Sequence, residues 1–174
     1  MNVVSMLQLM EFTYKKLTFA NTVQISASQA FVSSTCEAKY PAKPCGDGWY
    51  RINSGRCAKY FMDKRTFDDA ENHCVSLGGH LVSIHSVGDY SNVLCLALRT
   101  TNNGNLFWIG GRGMKSDFWN LKWTDGSSFN FYRRNLQQPD NKHESCIQLN
   151  YGDWWRWTND VCSSKRYFVC AKSQ

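Results

Sequence analysis

The sequence predicts an α+β domain held together by disulfides. Two helical patterns come first and short strand patterns follow, an order typical of domains in which helices and an antiparallel sheet are segregated. Eight cysteines, an even number, occur in 174 residues without any Cys-x-x-Cys pair. This usage favours disulfides over a zinc or redox motif, and disulfides indicate an oxidising, extracellular compartment.

Three segments are predicted along the chain. Residues 1–35 are polar and aperiodic, and we expect them to form a leader, signal peptide or propeptide, with Met1 and Met10 as alternative starts. Residues 36–44 contain Tyr40-Pro41-Ala42-Lys43-Pro44 and are expected to be a linker. Residues 45–172 have the aromatic, glycine and cysteine density of a folded domain.

The first half of this domain contains a predicted hairpin and helix. Residues 49–52 and 57–61 are predicted strands on either side of Asn53-Ser54-Gly55. Thr66 and Asp69 form a capping box, and Gly78 and Gly79 provide a left-handed stop. The apolar positions between them have helical spacing: Phe67, Ala70, Cys74 and Leu77.

A second helix and a series of strands follow. A strand is predicted over 81–84, and Ser86 with Asp89 begins the helix. Its expected buried face consists of Tyr90, Val93, Leu94, Ala97 and Leu98. Further strands are predicted over 106–110, 121–123, 146–149 and 167–170, with Trp108 and Trp123 in the core.

Composition excludes two classes of protein. The mean hydropathy is −0.47 and no apolar run approaches the roughly 20 residues of a membrane span. The net charge is +6, but the basic pairs are dispersed at 64–65, 133–134 and 165–166 and match no nucleic-acid-binding motif. We expect these residues to form a solvated surface, with weak attraction to acidic glycans as the alternative.

A candidate cation site begins at Gln138-Pro139-Asp140. Glu144 follows, just before Cys146, which is expected to anchor the loop. Amide and carboxylate oxygens on a stiff turn suit a hard cation such as calcium. The alternative is an ordinary structural turn.

The ordered set of motifs resembles the C-type lectin-like domain over about 45–172, and most closely the small secreted lectins of fish. The resemblance implies two helices packed on small antiparallel sheets with a long loop region. It rests on Cys45, Gly48-Trp49, Cys57, Tyr60, 70–74, Gly78-Gly79-His80-Leu81-Val82-Ser83-Ile84, 108–111, Trp123-Thr124-Asp125-Gly126, 138–140, 144–146 and Phe168-Val169-Cys170.

The resemblance also implies three disulfides, which sequence alone cannot select among 105 possible connectivities. They are Cys74–Cys170, Cys146–Cys162 and Cys45–Cys57. Cys36 and Cys95 are then left over. We expect them to pair with each other, and the alternative is an interchain bridge that makes a homodimer.

In sugar-binding members of the family, calcium is held by five side chains, and its free positions take two sugar hydroxyls. Three of the five positions fall on Gln138, Asp140 and Glu144. The order Gln-Pro-Asp is associated with galactose-type sugars. The other two usually come from the Asn and Asp of a Trp-Asn-Asp motif. A gapless match places this motif at Trp157-Thr158-Asn159, where Thr and Asn replace the two ligands. If the match is displaced by one residue, Asn159 and Asp160 supply them.

We therefore predict five calcium ligands, Gln138, Asp140, Glu144, Asn159 and Asp160, of which all but Asp160 also contact the sugar. The predicted function is calcium-dependent, galactose-type carbohydrate binding by a secreted defence, venom or mucus lectin, with glycans on cell or microbial surfaces as partners. The alternative is a module that has lost calcium and sugar and binds protein or ice. Histidines 73, 80, 85 and 143 lack metal-ligand spacing and no nucleophile motif accompanies them, so no enzyme is expected.

Overall fold

The computed structural model describes residues 34–101, 105–114, 117–132, 145–151 and 156–174. The chain divides into two compact units, Met1–Lys39 and Tyr40–Gln174. In the first, residues 34–39 are helical. The second holds the elements described below. No helix in the described ranges is both long and apolar enough to span a bilayer.

The second unit is built from nine strands and two helices within the described residues. They are β1 (Pro44–Gly46), β2 (Trp49–Arg51), β3 (Arg56–Arg65), α1 (Phe67–Ser76), β4 (His80–Leu81), α2 (Val87–Thr101), β5 (Phe107–Met114), β6 (Asp117–Trp123), β7 (Ser145–Tyr151), β8 (Arg156–Asp160) and β9 (Arg166–Ser173). The predicted α+β class is confirmed.

The strands form one sheet in which β9, the last in sequence, is central. The order is β1-β2-β3-β9-β5-β7-β8, with β4 also pairing β9 and β6 also pairing β5. β9 runs antiparallel to β3 and parallel to β5, where Phe107 lies opposite Tyr167 and Trp108 opposite Phe168. The predicted hairpin is formed by β2 and β3.

α1 begins and ends as predicted, apart from one residue. The Asp69 amide donates to the Thr66 hydroxyl at 3.2 Å, which caps the helix, and Gly78 adopts a φ of 80°. Phe67, Ala70 and Cys74 are buried. Leu77 was expected on that face but is the C-cap and is 37% exposed, because its backbone has already left the helix.

α2 is rotated relative to its predicted face. The Asp89 amide donates to the Ser86 hydroxyl at 3.0 Å, as the capping pattern predicts. Tyr90, Val93 and Ala97 are buried, but Leu96 is buried too, whereas Leu94 and Leu98 are only partly buried. The reason is that the Asp89 carboxylate is itself buried and bonded to Arg56 (2.8 Å), which turns its side of the helix inward.

The predicted strand 81–84 is shorter than expected. Only His80 and Leu81 are paired as β4, both held by the Glu71 carboxylate of α1 at 2.6 and 2.8 Å. Beyond them the Val82 amide donates to the Val169 carbonyl at 2.8 Å, and Ile84 is fully buried. Val82 and Ile84 therefore belong to the core but do not extend the pairing of β4 with β9.

The three disulfides implied by the resemblance are present: Cys45–Cys57, Cys74–Cys170 and Cys146–Cys162. No cysteine among the described residues is free, and Cys36 and Cys95 are each disulfide-bonded. The pairing of these two remains a prediction. Trp108 and Trp123, with 0% and 3% exposure, are core residues as expected.

Candidate functional site

The β7–β8 hairpin carries the last two predicted calcium ligands. Cys146 lies opposite Asp160 and Ile147 opposite Asn159, and the Cys146–Cys162 bridge fixes the end of the hairpin. Trp157, two residues before Asn159 in β8, is 1% exposed and belongs to the larger core cluster. The sheet and the core therefore hold Asn159 and Asp160 in a defined register.

Asn159 has an unsatisfied oxygen. Its Nδ2 lies 3.5 Å from the Ser145 hydroxyl, whereas its Oδ1 is buried and has no hydrogen-bond partner among the described residues. A buried acceptor left unpaired costs about 1–3 kcal/mol. The contact also places Asn159 beside the residue that follows Glu144 in the chain. Within the part of the chain that the structure describes, this amide oxygen is therefore available to a donor or a cation.

Asp160 is in a different situation, because both of its carboxylate oxygens are engaged. Oδ2 accepts from Arg166 Nη2 at 2.5 Å, and Oδ1 accepts from the Val161 amide at 2.8 Å. Arg166 is held in turn through Nε by Gln148 Oε1 at 2.9 Å. A cation at this carboxylate would lie close to the Arg166 guanidinium and compete with it for the negative charge.

The remaining predicted ligands, Gln138, Asp140 and Glu144, lie outside the described residues. Within the described ranges no three His, Cys, Asp or Glu residues cluster as a metal site. The complete ligand set therefore remains a prediction.

The chain that enters the predicted loop is anchored by aromatic rings. Phe129 stacks on Trp123 with ring centroids 4.5 Å apart, and the Phe131 ring lies 6.0 Å from that of Trp157. Trp157 and Trp123 also contact each other edge to face at 5.7 Å. The same core residues thus position both β8 and the approach to Gln138.

A second polar cluster was missed in the sequence, although its residues fall in the motifs that carry the resemblance. Arg56 is at its centre, donating to the Ser83 hydroxyl at 2.6 Å and to Asp89 at 2.8 Å. The Asp125 carboxylate accepts from the hydroxyls of Ser83 and Ser127. The cluster ties β3, the start of α2 and the turn after β6 together.

This cluster contains Ser, His and Asp side chains but lacks a catalytic arrangement. His85 Nε2 lies 3.1 Å from both the Ser83 and the Ser127 hydroxyls, while its Nδ1 faces Asn130 Oδ1 at 3.0 Å. The carboxylate of Asp125 binds the serines and does not orient the imidazole, as the acid of a catalytic triad does. We interpret the cluster as structural.

The charge of Asp125 depends on its serine neighbours. Burial acts to raise the pKa of Asp125, but hydrogen bonds from Ser127 and Ser83 and the charge of Arg56 outweigh it and hold the pKa below its ordinary value. A depressed carboxyl pKa contributes stability that is present above the unfolded-state pKa and lost as pH falls through the folded-state pKa.

We therefore expect Ser127→Ala to raise the pKa of Asp125 and to lower the free energy of unfolding at pH 7 by about 1 kcal/mol. The loss of stability between neutral and acidic pH should become smaller in the variant. NMR titration of the Asp125 carboxyl and urea unfolding at pH 7 and pH 3 measure both effects. Ser54→Ala, at an exposed serine, is the control. An equal change there in the Asp125 pKa and in the free energy of unfolding would contradict the role assigned to Ser127.

The fold and these motifs define a class of protein. The model of the lectin C-type domain family matches residues 63–172, so the chain belongs to that family. It is 38% identical over 130 residues to the C-type isolectin Sp-CL4 of Scorpaena plumieri, covering 73% of this chain and 88% of that protein.

Two further comparisons bear on function. The chain is 34% identical over 133 residues to the galactose-specific lectin nattectin of Thalassophryne nattereri, covering 74% of this chain and 80% of nattectin. Among solved structures, the herring type II antifreeze protein matches with a TM-score of 0.65 and 27% identity, covering 75% of this chain and 99% of that one. The resemblance to fish lectins inferred from sequence is confirmed.

Proposed function

We propose that this protein binds carbohydrate without catalysing a reaction. Its family and its similarity to a galactose-specific lectin support this function. The Ser83, His85 and Asp125 cluster, which superficially resembles a catalytic group, is explained by structural hydrogen bonds. Carbohydrate binding is therefore the function that the family and the similarity to nattectin support best.

We further infer that binding is calcium-dependent and of galactose type. Gln138, Asp140, Glu144 and Asn159 would hold the ion, which would supply a Lewis-acidic centre for two vicinal sugar hydroxyls. The observation that supports this inference is the buried Oδ1 of Asn159, which has no hydrogen-bond partner in the described ranges and lies one strand away from Ser145. Such an oxygen fits a ligand of a hard cation, and the same side chain's Nδ2 can donate to a sugar oxygen.

Asp160 would join the site in competition with Arg166. If Asp160 stays with Arg166, then Asp140 and Glu144 supply the two carboxylates, and affinity for calcium should be modest, since it depends on the number of charged ligands. If Arg166 is displaced, three carboxylates surround the ion. The Asp160–Arg166 pair would then influence the calcium concentration at which the site fills.

The test is retention on immobilised galactose in calcium and release by chelator. We expect Asp140→Ala to abolish retention and also to remove the rise in melting temperature on adding calcium, since an ion bound at a hundred times its Kd stabilises the folded state by about 2.7 kcal/mol. Asp68→Ala, at an exposed acid on α1, is the matched control.

Two results would count against this proposal. Retention that persists in chelator would mean that sugar is bound without calcium. Calcium stabilisation that survives in Asp140→Ala would place the ion elsewhere in the chain. Either result leaves the family and fold unaffected.

We also propose that the protein is secreted and meets glycans on cell or microbial surfaces, in defence, venom or mucus. The disulfides support an oxidising compartment. In a covalent homodimer, Cys36 or Cys95 would bridge two chains. A non-reducing gel distinguishes this arrangement from an intrachain bond, because only the dimer would collapse on reduction.

Ice binding is the second candidate function. It is favoured by the similarity to the herring antifreeze protein, at 27% identity. Thermal hysteresis of the purified protein, measured with calcium and with chelator, decides between the two. Hysteresis without galactose retention would favour ice binding over the lectin function.

A further inference from the structure

Two basic dipeptides that are distant in sequence meet at one end of the β3–β9 ladder. Lys64 and Arg65 are the last two residues of β3. Arg166 is the first residue of β9, and Lys165 immediately precedes it. In the antiparallel register Arg65 lies directly opposite Arg166. The sequence predicts dispersed charge here, but strand pairing assembles four cationic side chains on one surface.

Two open clefts adjoin on this surface, with volumes of about 460 and 370 Å³. Lys64 and Lys165 line both of them. Asn72 and Ser76 line the first, and Asn105 lines the second. We call the pair the basic cleft. Its walls offer ammonium, amide and hydroxyl groups.

The two arginines of the basic cleft are largely neutralised. Arg65 Nε lies 2.6 Å from Asp63 Oδ2, and Arg166 is paired with Asp160. The two arginines therefore contribute hydrogen-bond donors to the walls of the basic cleft but little net positive charge.

The two lysines are not neutralised. Lys64 and Lys165 are exposed, and neither has an acidic partner among the described residues. Lys64 Nζ lies over the ring of Tyr167, 5.2 Å from its centroid. Asp69 also lines the first cleft, whereas no acidic residue of the described ranges lines the second, so the second is the more favourable of the two for an anion. Two shared ammonium groups thus remain available for an anion.

We propose that the basic cleft binds a sulfated polysaccharide, with Lys64 and Lys165 contacting sulfate groups. An ammonium is a compact donor that suits a tetrahedral oxyanion. Asn72, Asn105 and Ser76 can exchange hydrogen bonds with sugar hydroxyls, because amides and hydroxyls both donate and accept. Two adjoining clefts that share these lysines suit an extended chain. The site uses none of the proposed calcium ligands, so it goes beyond the proposed function.

The test compares binding to heparin in chelator and low salt, where the calcium site is inactive. Lys64→Gln/Lys165→Gln should lower heparin affinity roughly tenfold, as expected for the loss of two exposed charge contacts. Lys43→Gln/Lys122→Gln removes the same charge at exposed lysines elsewhere and should change affinity much less. Lys64→Arg/Lys165→Arg, which keeps the charge, should retain binding. Near-UV circular dichroism checks that each variant is folded.

Three results would overturn the proposal. Wild-type protein that does not bind heparin lacks the site. An equal loss in both glutamine variants would mean that only net charge matters. Single-stranded DNA bound as tightly as heparin, and weakened by the same variant, would make the cleft a general polyanion site. Galactose retention in calcium should be unchanged in Lys64→Gln/Lys165→Gln, so the two proposals can fail separately.

Discussion

Gly79→Ala should destabilise the domain by about 3 kcal/mol or more, because the new methyl group would overlap the central strand. An added Cβ would lie 2.2 Å from the Ala171 carbonyl oxygen and 2.9 Å from its carbon. Both are backbone atoms of β9, so no side-chain rotation can relieve the clash. The turn between α1 and β4 would have to move away from β9.

Two other glycines are matched controls for this effect. Gly55 has no heavy atom within 4 Å of its added Cβ, so Gly55→Ala should be nearly neutral. Gly78 has the same open space but a φ of 80°, so Gly78→Ala should cost about 1 kcal/mol of backbone strain alone. Urea unfolding of the three variants measures the series. If Gly79→Ala were as stable as Gly55→Ala, the turn between α1 and β4 would not be in close contact with β9.

Removal of the Cys74–Cys170 disulfide should have an even larger effect. This bridge joins positions 96 residues apart, whereas Cys45–Cys57 joins positions 12 apart. Loop-closure entropy predicts about 5 kcal/mol for the long bridge and about 3 kcal/mol for the short one. Because domains of this size have only about 5–15 kcal/mol of stability, Cys74→Ala/Cys170→Ala should be near the limit of folding.

The comparison with Cys45→Ala/Cys57→Ala isolates the contribution of loop length. Both variants remove two half-cystines, and Cys57, Cys74 and Cys170 are all buried. The urea midpoint of Cys45→Ala/Cys57→Ala should be higher than that of Cys74→Ala/Cys170→Ala. Equal losses would mean that local strain and packing at each bridge outweigh the constraint on the unfolded chain.

Local structure was predictable from sequence where its causes are local. Thr66 and Asp69 cap α1 within one turn, and Gly78 ends it, so the helix could be placed without tertiary information. β8 was not predicted as a strand because Thr158, Asn159 and Asp160 are polar. It forms since β7 supplies a ladder and the core receives Trp157.

The candidate site was only partly predictable for a similar reason. Asn159 and Asp160 could be singled out as oxygen donors from the family pattern, but their difference in availability depends on Arg166, which β9 brings to Asp160. The basic cleft likewise depends on the pairing of Arg65 with Arg166 across the sheet. Contacts between residues so distant in sequence are set by strand order, which no local pattern specifies.

The central place of β9 has a consequence for biosynthesis. β3, β4 and β5 all pair with this strand, yet it is the last element of the domain to be translated. Until residues 166–173 have left the ribosome, three strands present unpaired edges, and the buried half-cystine Cys74 has no Cys170 to pair with. The sheet therefore cannot be completed before β9 is available, and its folding is governed by non-local contacts, which slow it.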